Sequence, residues 1–210
     1  MHRALAVVGI ASTAGFALLS WHVATGAADA FDRRLTETIH VHISYPVRVA
    51  LLAFTRLGQG DVLLLATVAA MVTCLLRRQR MLALLWGLMM SVGGYVLLST
   101  LKELFARKRP DYAEAWLTSD GSFPSGHTSM TLVFVGFALY LFLRQERSAA
   151  ARWVAVVSAV LWCGLMGMSR LLLGNHYWSD VLGGYLLGTA WLAGAIYCSQ
   201  VLGTRYGVRS

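Results

Sequence analysis

GSFPSGHTSMTLVFVGFALYLFL, residues 121–143, contains no Asp, Glu, Lys or Arg. A helix needs about 20 such residues to cross the hydrocarbon core, so this stretch reads as a membrane span with Ser125, Gly126 and His127 at its polar start. Residues 4–28, 81–101 and 181–204 are charge-free runs of comparable length, and 153–169 just reaches the lower limit. Residues 62–76 fall short, and must recruit 57–61 or sit in thinner bilayer. The chain has 210 residues, 57% hydrophobic and 13% charged, where a soluble domain carries about a quarter charged residues. The expected fold is therefore all-α: a polytopic membrane protein of about six transmembrane helices. Six crossings leave no room for a soluble unit, so residues 1–210 are expected to form a single integral membrane domain.

The net charge of +8 does not point to nucleic acid, because of where it lies. Arg3, Arg77, Arg78, Arg80, Arg144, Arg147, Arg152, Arg205 and Arg209 share one side of the six-span layout with a single acid, Glu146. The opposite side holds as many basic residues as acidic ones. Basic clusters in short loops stay in the cytoplasm, which puts both termini there and the neutral side outside. Lys102, Arg107, Lys108, Arg109 and Arg170 are the exceptions on that outer side. Three cysteines, Cys74, Cys163 and Cys198, lie in apolar segments and read as packing residues. The N-terminal run imitates a secretory signal, but it is long, and Trp21 and His22 interrupt its approach to the Ala28-Asp29-Ala30 site. It reads as a retained first span. Residues 29–61 form the first outer connection. Ser44-Tyr45-Pro46 within it is a helix start, and the helix that follows reads equally as an interfacial helix or as an extension of the second span.

Three polar stretches border the spans: KELFARKRP (102–110), PSGH (124–127) and SRLLLGNHYWSD (169–180). His176 and Asp180 are four apart, so a helix would place them on one face. A carboxylate there accepts the Nδ1 proton and leaves Nε2 as nucleophile. Arg170 supplies a guanidinium suited to bidentate phosphate contact. Ser125 sits as an N-cap, Gly126 lets a ligand approach the backbone, and the first N–H groups of the span would face an anion. His127, in the first turn, is placed to donate a proton to a leaving oxygen. Taken singly, PSGH is an ordinary helix cap with a boundary histidine, and Lys102 and Arg109 are snorkelling anchors. Their shared position on one membrane face joins them into a site for a lipid-borne phosphate. His2, His22, His40 and His42 have no such partners and read as surface residues.

The pattern K-x6-RP, PSGH, SR-x5-H-x3-D over residues 102–180 resembles the type 2 phosphatidic acid phosphatase superfamily, and every motif position is present. The resemblance implies a helical phosphatase core in which His176 is the nucleophile, His127 the general acid and Asp180 the residue that orients His176. It implies that Lys102, Arg109, Ser125, Gly126 and Arg170 hold the phosphate oxygens, with neither metal nor cofactor. Arg107 and Lys108 fall outside the pattern and read as interfacial anchors, with rim contacts to an anionic head group as the alternative. The implied activity is hydrolysis of a lipid phosphate or pyrophosphate through a phosphohistidine at the outer face of a bacterial inner membrane. Undecaprenyl pyrophosphate, phosphatidylglycerophosphate, phosphatidic acid and lipid A phosphates all qualify as substrates. A lipid phosphotransferase would use the same phosphohistidine. A non-enzymatic lipid-phosphate binder or transporter would need the basic pocket without the nucleophile. Soluble vanadate haloperoxidases share the constellation, but not the six spans.

Overall fold

The computed structural model describes residues 2–40, 43–111, 113 and 120–205. Among the described residues every regular element is helical: α1 (His2–Ala24), α2 (Asp29–His40), α3 (Tyr45–Thr55), α4 (Gly60–Leu76), α5 (Arg80–Leu88), α6 (Leu98–Phe105), α7 (Gly126–Leu143), α8 (Ala149–Leu172) and α9 (Trp178–Arg205). A π-helical stretch, Met89–Leu97, joins α5 to α6 into one span, Arg80–Phe105. Five helices are long and apolar enough to cross a membrane, and α3 with α4 adds a sixth as a pair bent by 46°. The chain is a multi-pass membrane protein.

The bent pair resolves the short second span expected from sequence. Ser44 is extended and Pro46 lies in the first turn of α3, where its missing N–H leaves nothing unsatisfied. The Ser44 side chain makes no cap bond. The outward surfaces are apolar, with Leu76 81% exposed and Ile10 and Leu65 each 71% exposed, a surface that suits hydrocarbon and not water. The connection between α1 and α3 holds α2, whose inward positions include the polar Asp32 and Thr36.

Packing brings the polar ends together. α9 lies along α1 on one side and α7 on the other. A Cβ on Gly184 would stand 2.7 Å from the Ser125 carbonyl oxygen, and one on Gly188 would stand 2.9 Å from that of Ser129. Only glycine at these two positions lets α9 approach the start of α7 so closely. At the π-stretch, Trp191 on α9 donates from Nε1 to the Met89 carbonyl, 3.1 Å away, so a backbone acceptor loosened by the irregular winding is satisfied. Trp86, Phe134 and Phe137 close the core between this span and α7.

Candidate active site

The three polar stretches meet at one end of the bundle, tied by backbone hydrogen bonds. α6 ends at Ala106, whose φ of 41° is left-handed and turns the chain back. Ser122 N–H then donates to the Arg107 carbonyl at 2.9 Å, and Ser125 N–H to the Asp180 carbonyl at 3.0 Å. α8 ends with Gly174 at φ 67°, Gly174 N–H bonding Leu171 and Asn175 N–H bonding Arg170. This is a Schellman stop, and it delivers Asn175 and His176 to the site. His176 therefore lies just before α9 and not on it. Asp180 reaches back from the first turn of α9 and accepts Tyr177 N–H at 2.9 Å, the return half of a capping box.

His176 is buried. Its Nε2 is 3.1 Å from Arg109 Nη1 and its Nδ1 is 3.4 Å from Asp180 Oδ2. A guanidinium only donates, so Nε2 is the accepting, unprotonated nitrogen and the ring proton sits on Nδ1, toward Asp180. That Nδ1 contact is the approach of a neutral ring to a carboxylate, without hydrogen-bond geometry. Burial, with Arg109, Arg170 and Lys102 nearby, holds the His176 pKa well below the ordinary 6.5. The imidazole is neutral at physiological pH.

Around it stand the cations. Arg109 also donates to the Asn175 carbonyl at 2.9 Å and to Asp120 Oδ1 at 2.9 Å. Lys102 pairs with the other oxygen of Asp120. Burial works to raise the Asp120 pKa, but Lys102 and Arg109 outweigh it and the net shift is downward. Arg170, fully buried, donates from Nη1 to Thr55 Oγ1 on α3 at 2.8 Å, and its Nε has no partner. His127 is within electrostatic reach of Arg170, His176, Lys102 and Arg109, and its buried Nε2 also lacks a partner. Ser125 occupies the N-cap position without capping; it accepts from the Thr128 hydroxyl at 3.0 Å. A Cβ on Gly126 would meet Leu98 Cδ1 at 3.8 Å and Lys102 Cε at 3.9 Å, so this backbone lies beside the Lys102 side chain. Every site residue singled out from the sequence is in this cluster. Asp120 and Thr55 were missed, the first lying outside any motif and the second more than a hundred residues from the arginine it holds. His22 bonds its own helix at the Leu18 carbonyl. His42 lies outside the described residues, as do the side chains of His2 and His40.

One expectation is corrected. Arg107 is not an interfacial anchor: its side chain is only 10% exposed and binds Asp29, Asp32 and Asp180. Three carboxylates converge there, and a guanidinium with five donors turns inward to meet them. Lys108 stays exposed.

A cavity of about 520 Å³ opens from the cluster. Lys102, Asp120 and His127 line its polar part, and Leu63, Val68 and Leu84 belong to its apolar walls between α4 and the α5–α6 span. From Gly60 to Met71 on α4 the lining covers roughly 16 Å at 1.5 Å per residue. A second depression, of about 570 Å³, shares Lys102 and Asp120 and is lined by Arg107, Lys108 and Arg109. Among the described residues no three His, Cys, Asp or Glu side chains gather as a metal site.

The family model described as PAP2 superfamily matches residues 80–203. The chain belongs to the PAP2 superfamily. Phosphatidylglycerophosphatase B of Bacillus subtilis is 41% identical over 91 residues, which are 42% of this chain and 44% of that protein. A lipid A 1-phosphatase of Rhizobium johnstonii is 34% identical over 109 residues, 47% of this chain and 40% of the relative. Both matches span less than two thirds of the relative's own length. The crystal structure of a transmembrane PAP2 type phosphatidylglycerolphosphate phosphatase from Bacillus subtilis superposes with a TM-score of 0.76 at 26% identity, covering 92% of this chain and 96% of that one. The superfamily's matched region contains all three polar stretches and excludes α2 and α3.

Proposed function

We propose that this chain is a lipid-phosphate phosphatase of a bacterial inner membrane, with its site on the outer face. The observation that carries the reading is a buried His176 whose Nε2 faces Arg109 at 3.1 Å, with Arg170 and Lys102 in electrostatic reach, behind a cavity that has apolar walls and is lined at its polar end by Lys102, Asp120 and His127. Nε2 attacks phosphorus, and the bond from phosphorus to the lipid oxygen breaks. His127 gives its proton to that oxygen, and Asp180 compensates the positive charge appearing on the phosphorylated ring. Water then attacks the phosphohistidine, His127 takes up the proton, and phosphate leaves. Lys102, Arg109, Arg170 and the first N–H groups of α7 hold the oxygens whose charge grows in the transition state. The polar depression beside Lys102 favours water over a lipid acceptor as the second nucleophile. The bacterial relatives favour phosphatidylglycerophosphate and lipid A phosphates, and the apolar slot equally accepts an isoprenoid pyrophosphate.

The test is phosphate release by the purified protein from a panel of these lipids and phosphatidic acid. His176→Ala abolishes release, Asp180→Asn leaves a trace, and His127→Ala loses about 10²–10⁴-fold, the range of a general acid. Activity persists in excess EDTA and vanadate inhibits. Near-normal turnover by His176→Ala, or a chelator-dead enzyme rescued by magnesium, overturns the mechanism. Radiolabel appearing on an added acceptor lipid identifies a transferase.

A further inference from the structure

Asp32 lies on α2, outside every motif and outside the matched family region, yet it is completely buried. Its Oδ2 accepts from Arg107 Nη2 at 2.8 Å and from the Ser179 hydroxyl. Its Oδ1 accepts the Ser179 backbone N–H at 3.1 Å. This last bond caps the first turn of α9 from another helix, satisfying an N–H that the helix itself leaves open. Arg107 spans the rest of the gap. Its Nη1 donates to Asp180 Oδ1 at 2.7 Å and to Ser179 Oγ at 2.6 Å, while its guanidinium lies 4.6 Å from the centre of the Tyr177 ring. Residues 177, 179 and 180, the turn immediately after His176, are thus gripped by one arginine and one aspartate.

Desolvating such groups is expensive, and an apolar cluster of equal volume is often as stable. Their arrangement serves geometry instead. Asp180 has two oxygens: Arg107 holds Oδ1 and Tyr177 N–H holds Oδ2, which in that pose stands 3.4 Å from His176 Nδ1, while the Ser122 side chain also bonds the carboxyl.

We infer that Asp32 and Arg107 are positioning residues, which hold the Asp180 carboxylate and the first turn of α9 in the pose from which His176 is oriented for attack. Both act through Ser179 and Asp180, the residues they bind in the first turn of α9. The inference rests on the phosphatase reading, and α2 becomes part of the catalytic apparatus and not merely a connection between spans.

The experiment is a double-mutant cycle on full-length protein in detergent, with short-chain phosphatidic acid as the probe and kcat, KM and melting temperature measured for each variant. Asp32→Asn lowers kcat by about 10²-fold, the effect of a misplacement near 1 Å, with KM little changed. Arg107→Lys, which keeps the charge but loses the fork, falls between wild type and Arg107→Gln. Asp32→Asn added to Asp180→Asn slows turnover no further, because both changes break one chain of contacts. Wild-type kcat in Asp32→Asn, or losses from Asp32→Asn and Asp180→Asn that multiply in full, overturns the inference while leaving the phosphatase reading intact. Wild-type protein without phosphate release from any lipid would instead sink that reading, and the inference with it. Should Asp32→Asn fail to fold, Ser179→Ala decides the matter in the same cycle. It removes the hydroxyl shared by Asp32 and Arg107, and is expected to lower kcat only when Asp180 is present; equal loss in both backgrounds overturns the inference.

Discussion

Asp120 shows how a single residue sets the resting state. Its two oxygens take Lys102 and Arg109, the same cations proposed to hold phosphate, so a substrate must displace it. The carboxylate is half exposed, and such pairs are worth at most about 1 kcal/mol. Asp120→Asn is therefore expected to lower KM by up to about fivefold and to tighten vanadate inhibition; a raised KM would show that the carboxylate assists binding. His176 makes a second prediction at this scale. Its folded pKa lies well below 6.5, through burial first and then the neighbouring Arg109, Arg170 and Lys102. The imidazole stays neutral, hence nucleophilic, as pH falls through 6.5. The acid limb of kcat/KM, corrected for ionisation of the substrate's own phosphate, should lie below pH 6.5. Stability follows the same sign, because the unfolded chain binds this proton first. The contribution of His176 is complete above pH 6.5 and is lost as pH falls toward the folded value. An acid limb at or above pH 6.5 would mean that the ring is not held neutral.

Among the elements, α4 and the α5–α6 span form the walls of the apolar slot. Leu88 lines it while remaining about half exposed, so Leu88→Trp narrows the slot without opening a hole in the core. KM for a long-chain lipid phosphate should rise several-fold, and that for a short-chain analogue should hold; equal changes for both would remove the slot from substrate binding. Legibility in the sequence also divides by element. The long spans were readable because lipid demands unbroken apolar runs, and K-x6-RP, PSGH and SR-x5-H-x3-D marked the cluster because each keeps its polar residues within one short segment. α2 was not readable as part of the site. Its inward face mixes Leu35 and Ile39 with Asp32 and Thr36, so hydropathy could orient the helix but could not single out Asp32 as a working residue. The partner that justifies a buried Asp32 is Ser179, 147 positions away. Arg107 was misread for the same reason: a basic residue at a span end is ordinarily an anchor, and nothing local discloses three carboxylates arriving from α2 and α9.

At the scale of the whole molecule, the bundle has two unlike ends. The α4–α5 hairpin carries Arg77, Arg78 and Arg80, and the α7–α8 connection with the first turn of α8 carries Arg144, Arg147 and Arg152. The opposite end gathers α2, residues 106–111 and 120–125, and the α8–α9 turn, where cations are matched by Asp29, Asp32, Asp120 and Asp180. Unmatched arginines in short loops resist translocation, whereas cations neutralised by carboxylates are not held back in the same way. The arginine-rich end is therefore expected in the cytoplasm and the site outside. Single cysteines test this in a protein whose native three are replaced, Cys198 above all because it is exposed. Lys108 is exposed beside the site and Gln145 is exposed in the arginine-rich loop, and both lie outside the proposed catalytic groups. Asn175, though adjacent to His176, is only 2% exposed and would report burial instead of sidedness. A cysteine in place of Lys108 should react with a membrane-impermeant maleimide in intact cells, and one in place of Gln145 only after the membrane is opened. The reverse pattern would put the site in the cytoplasm, where it would meet newly made lipid phosphates and not those already carried across the membrane.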